Sequence, residues 1–163
     1  MKFTELHKHL LVAVMLAILV LMWGCGSGGE STPNAVVGKS TAVTIIPSGN
    51  GTFTFQGNDL KGVAGIDLTV TYDSSFLTTP TISQGSFITG TAMFVTNPIY
   101  SSNAFKIAIL TAIPFSGGGH IASVSFASHT GTGSITVTGS VLDSKGAPLG
   151  EMIILTANDF QSP

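Results

Sequence analysis

From Thr41 onward, apolar residues recur in short runs rich in Val, Ile, Phe and Thr, separated by turn-forming residues. This is the pattern of half-buried strands, not of helices. The runs are TAVTIIP, GTFTFQG, GIDLTVTYD, PTISQGSFITG, AMFVTNPI, AFKIAILTAIPF, HIASVSFAS, GSITVTGSVLD and EMIILTA, and they predict about nine strands. Between them stand PSGNG, YDSSFLTTP, NPIYSSN, FSGGGH, HTGTG and DSKGAPLG, whose Gly, Pro, Asn and Ser supply turn conformations. Short strands with frequent turns and no helical period predict an all-β domain. Its expected form is a two-sheet antiparallel sandwich of Greek-key or jelly-roll type.

The alternation also predicts the core. In GIDLTVTYD, Ile66, Leu68, Val70 and Tyr72 fall on one side, while Asp67, Thr69, Thr71 and Asp73 fall on the other. Phe105, Ile107 and Ile109 or their alternates, Ala122, Val124 and Phe126, and Ile135 and Val137 are expected to face inward as well. The stretch KIAIL is apolar on nearly both faces, which predicts a central strand covered on both sides.

The first 24 residues follow a different rule. Lys2, His7, Lys8 and His9 flank LLVAVMLAILVLMW, an unbroken apolar run of 14 residues, shorter than the ~20 that a membrane-spanning helix needs. A short basic segment before a short apolar one predicts a signal peptide over residues 1–24. It ends at the single cysteine of the chain, Cys25, in LMWGCGSGG. This resembles the lipobox of bacterial lipoproteins, with Trp23 where a small residue is usual. The resemblance implies acylation of Cys25; the alternative is an incidental thiol behind an ordinary secretory signal. Residues 25–38 are then a lipidated cysteine and a flexible Gly/Ser-rich tether, and residues 39–163 the folded domain. The expected location is outside the cytoplasm, on the bacterial cell envelope and open to surface exposure, with the lipid as the sole membrane contact. Without a second cysteine the domain holds together by its core alone.

Composition narrows the chemistry further. Only 9% of the 163 residues are charged, the formal charge is -2, and the six cations are all lysines. A basic patch for nucleic acid is therefore not expected. GKS at Gly38–Ser40 lacks the earlier glycine of a phosphate loop, since that position is Pro33. There is no Gly-x-Ser-x-Gly elbow. His120 and His129 bracket one expected strand and are expected to be solvated loop residues, and SGGGH, residues 116–120, a flexible hairpin loop. The carboxylates form no compelling pair of the kind a glycosidase holds across a cleft. Asp73 and Asp143 are better placed to bond turn backbone. No cofactor, metal or catalytic residue is expected, and the domain is taken as a non-enzyme.

The order GVAGIDLTVTYDSSFL, ISQGSFITG, FKIAILTAIPFSGGGHIASVSFAS and GSITVTGSVLDSKGAPL resembles the cohesin family, modules that bind dockerins in cellulosomes. It spans about Ala42 to Leu155, and its most telling part is the Gly-x-x-Gly-x-Asp strand that ends in Tyr72 and Asp73. The resemblance implies a protein-binding module for scaffolding, linked to polysaccharide degradation, with Asp67 at the position of an acid on the dockerin-receiving face. Two positions depart from it: Gly65 replaces a usual asparagine, and Ile113 and Pro114 stand where an acid is common. Asp67 is thus either a recognition residue or one solvated carboxylate among threonines. The alternatives to a dockerin-like partner are another envelope protein or direct polysaccharide binding. With Trp23 lost in the signal and Tyr72 expected inside, the candidate ring for a glycan is Tyr100.

Overall fold

The computed structural model describes residues 36–39, 42–129 and 132–160. Eight strands follow in chain order: β1 (Val36–Lys39), β2 (Val43–Gly49), β3 (Thr52–Tyr72), β4 (Leu77–Gln84), β5 (Met93–Ser101), β6 (Ala104–His129), β7 (Thr132–Leu142) and β8 (Ile153–Phe160). All pair antiparallel. Two of them are very long, because β3 and β6 run together through both layers of a sandwich. Residues 65–72 of β3 pair with the first part of β6 on one side and β7 on the other, continuing to β8 and β1, with β5 beyond β6. Residues 52–63 of β3 lie between β2 and the second part of β6, with β4 beyond. The first layer is therefore β1-β8-β7-β3-β6-β5, and the second β2-β3-β6-β4.

The count is eight and not nine because two expected breaks are continuous strand, which leaves seven of the expected strands, and the short β1 adds one. GTFTFQG and GIDLTVTYD form one β3, and AFKIAILTAIPF and HIASVSFAS one β6. The segment SGGGH is correspondingly not a hairpin loop. Ser116, Gly117, Gly119 and His120 pair with Lys61, Leu60, Gly57 and Gln56. Glycine serves close approach here: a Cβ on Gly118 would lie 2.5 Å from the Gly57 carbonyl oxygen. Register shifts between Phe55 and Gly65 let the paired strands bend from one layer to the other. Val36–Gly38, expected as tether, instead joins Lys39 in the edge strand β1, which pairs with Ile154–Ala157.

The core between the layers is as the alternation predicts. Ile66, Leu68, Val70 and Tyr72 are buried, as are Phe105, Ile107, Ile109, Ala122, Val124, Phe126, Ile135 and Val137. Four rings close one end. Phe126 packs on Tyr72 at 5.0 Å between centroids, on Phe53 at 6.1 Å edge to face, and on Phe105 at 6.4 Å, the range of favourable aromatic pairs.

One buried acid was not foreseen from sequence. Asp159 on β8 is 2% exposed, and its Oδ2 accepts the Gly51 N–H while Oδ1 has no hydrogen-bond partner among the described residues. Gly49, Asn50 and Gly51 all have positive φ, and the Gly51 carbonyl accepts the Phe126 N–H at 3.0 Å. Asp159 thus clamps the β2–β3 turn to β8. Replacing it with Ala is expected to cost about 1–3 kcal/mol, and with Asn less, because Asn keeps an acceptor for Gly51. Equal losses for the two variants in denaturant titration would show that this bond is not the source of the stability.

Candidate functional site

The outer face of the first layer is open, and its residues are fixed by register. One row across it is Met93, Leu110, Gly65 and Leu142; the next is Val95, Ala108, Asp67 and Ser140; the third is Asn97, Lys106, Thr69, Thr138 and Ile154. KIAIL is therefore central within its layer but is not covered on both sides. Ile107 and Ile109 enter the core, whereas Leu110 is 52% exposed and Lys106 and Ala108 are half-buried. An all-apolar strand arises here because its second face belongs to an exposed apolar patch, not to a second covering layer.

That patch has Met93 at 61% and Val95 at 50% exposure beside Leu110. Next to it the chain makes an excursion. Between the pairs Val63–Phe115 and Gly65–Leu110, β3 advances two residues while β6 advances five, so Thr111–Pro114 bulge outward. The Thr111 hydroxyl accepts the Ile113 N–H at 3.2 Å and donates to the Ile113 carbonyl at 2.9 Å. This local ring holds Ile113 at the tip, 73% exposed. Single exposed apolar residues are ordinary, but clustered ones mark interaction surfaces.

Asp67 lies in the middle of this face, exposed, between Ala108 and Ser140. The other described aspartates each have a hydrogen-bond or ion-pair partner. Asp73 Oδ1 accepts the Ser75 N–H at 2.9 Å, and Asp143 Oδ1 accepts the Lys145 and Ala147 N–H groups at 2.8 Å. Both are turn-formers, as the sequence predicts. Asp59 pairs with Lys61 at 3.0 Å, and Asp159 holds Gly51. Asp67 has neither a hydrogen bond nor an ion pair to any described residue. Its nearest cation by register is Lys106, whose ammonium sits 4.9 Å from the centroid of the Tyr100 ring instead.

Tyr100 is exposed and lies within β5, not in a loop. One side of its ring faces Lys106, a cation–π contact, which leaves at most the other side for a sugar. His120 is likewise on β6, with Nε2 2.8 Å from the Ser123 hydroxyl. His129 stands nine residues further along the same strand. Cys25 lies outside the described residues. Sequence reasoning placed Asp67 on the outer side but missed Met93, Val95, Leu110 and Leu142. In AMFVTNPI only the alternation Met93, Val95 against Phe94 hints at them.

No protein-family profile matches the sequence, and no curated protein does. Solved structures do match. A type II cohesin domain from the cellulosome of Acetivibrio cellulolyticus superposes with a TM-score of 0.51 at 12% identity, covering 71% of this chain and 95% of that one. A structure of a type I cohesin–dockerin complex from Clostridium thermocellum gives 0.50 at 10% identity, covering 72% and 92%. At such identities the likeness is one of fold. The eight strands, the two layers and these superpositions together define the domain as an all-β sandwich with a cohesin-like fold.

Proposed function

We propose that this chain is a non-catalytic binding module that receives a protein partner on the open face of its first layer. The observation that carries the reading is the face itself: Met93, Val95 and Leu110 exposed side by side around Asp67, the one described aspartate with no hydrogen bond or ion pair to a described residue. An apolar centre with one charge inside it is the make-up of a protein interface, where apolar area supplies affinity and the charge supplies register. Anchoring by acylated Cys25 behind a signal peptide would hold the module on the cell envelope, and the Gly/Ser-rich stretch within residues 25–38 would give it reach. The partner class we favour is a dockerin-like module of polysaccharide-degrading machinery. The support is the fold likeness to cohesins solved from a cellulosome and in complex with a dockerin. Ile113 in place of an acid makes the face more apolar, so the fitting partner carries an apolar contact there.

Paired affinity capture from the producing cell's envelope and secreted fractions tests this reading, with the parent chain, Val95→Glu and Asp67→Ala as baits. Both positions are exposed, so both variants are expected to keep the parent's melting temperature within the ~0.5 kcal/mol typical of surface changes. Val95→Glu places an unpaired charge in the apolar centre and is expected to abolish retention of a partner that the parent holds; Asp67→Ala is expected to weaken it about tenfold. Equal retention by all three baits would rule out this face as the binding site.

A further inference from the structure

At the Gly65 end of the open face is a cleft of about 400 Å³ lined by Met93, Leu110, Leu142, Gly65, Thr111 and Asp143, among others. We propose that it is a socket for one long basic side chain, lysine or arginine, presented by a protein partner. This rests on the binding reading above and adds the chemistry of what is bound.

The shape comes from two leucines that pack closely over one glycine. Gly65 faces outward between Leu110 and Leu142 in the same row, and a Cβ built there would lie 3.3 Å from Leu142 Cβ and 3.4 Å from Leu110 Cδ2. A side chain at this position would have to push the two leucines apart and so reshape the floor. Leu110 and Leu142 close over the buried glycine and, with Met93, give the cleft its aliphatic lining, bordered by Thr111 and Ala112 of the bulge.

The charge around it has one sign. Asp143 lines the cleft, and Asp67 stands two residues from Gly65 on the same face of β3, about 7 Å along the strand. No lysine lines it. Lys106 is turned over the Tyr100 ring, and Lys145 contributes its backbone N–H, not an ion pair, to Asp143. A purely aliphatic occupant would leave both carboxylates uncompensated, and an acidic one would be repelled. A serine or threonine is too short to cover the walls. Lysine and arginine satisfy both features, with the methylene stem on Leu110, Leu142 and Met93 and the charged head at the carboxylates.

The test is an amide NMR titration of the ¹⁵N-labelled full chain with Nα-acetyl-lysine methylamide, and with Nα-acetyl-norleucine methylamide as the charge-free counterpart. The lysine compound is expected to shift the Gly65, Leu110 and Leu142 amides saturably, with a dissociation constant on the order of 10 mM, and the norleucine compound to bind several-fold more weakly. Asp67→Asn and Asp143→Asn are each expected to weaken the lysine compound about two- to fivefold and to leave the norleucine compound unchanged. Asn at 143 keeps the oxygen that accepts the Lys145 and Ala147 N–H groups, so the turn survives. Gly65→Ala should abolish binding of both. Equal binding of the two compounds, or no saturable shift at Gly65, overturns the socket. A partner lost by Val95→Glu but held unchanged by Gly65→Ala would overturn the socket and leave the binding face standing; a partner held by both would remove the face as well.

Discussion

Phe126→Ala is expected to destabilise the domain by about 3–5 kcal/mol, the range for emptying a buried aromatic site, and to lower the melting temperature by about 10 °C or more. Phe126 belongs to the second layer, yet its ring touches Tyr72 and Phe105 of the first as well as Phe53 of its own. Removing it therefore deletes three ring pairs and opens a void between layers at their common end. The backbone there is paired on both sides, to Pro80 of β4 and to Gly51, so collapse around the void is restricted. Denaturant titration beside Phe76→Ala, at an exposed ring, checks it. The Phe76 variant should stay within about 0.5 kcal/mol of the parent, and a Phe126 loss as small would mean that the end does not depend on these contacts.

Gly139→Ala is expected to cost about 3 kcal/mol or more, although it adds only one methyl group. Gly139 pairs with Leu68 on one side and Ile153 on the other. A Cβ there would stand 2.1 Å from the Asp67 carbonyl oxygen and 3.0 Å from Leu68 Cδ2. The first of these is backbone, which cannot rotate aside, so β7 must move away from β3. The damage falls on the strand that carries Asp67. Thermal unfolding should show a large loss for Gly139→Ala and almost none for the exposed neighbour Thr138→Ala; similar values for both would mean the ladder has slack at this point.

Much of the fold was legible because the inner face obeys period two. Ile66, Leu68, Val70 and Tyr72 read as core and are core, and Asp67 falls on the opposite face, as alternation requires. The failures share a cause. Gly and Ser normally signal turns, yet at residues 116–120 glycines let two strands approach closely enough to bend together. Val36–Lys39 was unreadable because four residues carry little periodicity, and their place depends on β8, at the far end of the chain. KIAIL shows the limit most clearly. An all-apolar strand has the same pattern whether its second face is covered or exposed, so Leu110 and its neighbours could not be assigned from sequence. Asp159 escaped notice for a similar reason, since its partner Gly51 is 108 residues away.

The run of β3 and β6 through both layers also sets an order of assembly. Their partners at one end, Thr71 and Ala104, are separated by 33 residues of chain, and those at the other, Thr52 and Ser125, by 73. Closing the longer loop first costs roughly 0.6 kcal/mol more for each doubling of length, so the ladder should start near Thr71 and zip toward Thr52, with the bulges passed in sequence. Mutational φ-values higher at Val70 and Phe105 than at Phe53 and Val124 would bear this out; the reverse gradient would refute it. The layer carrying Asp67 would then form before the one behind it, so its open face takes shape early and the opposite layer locks it.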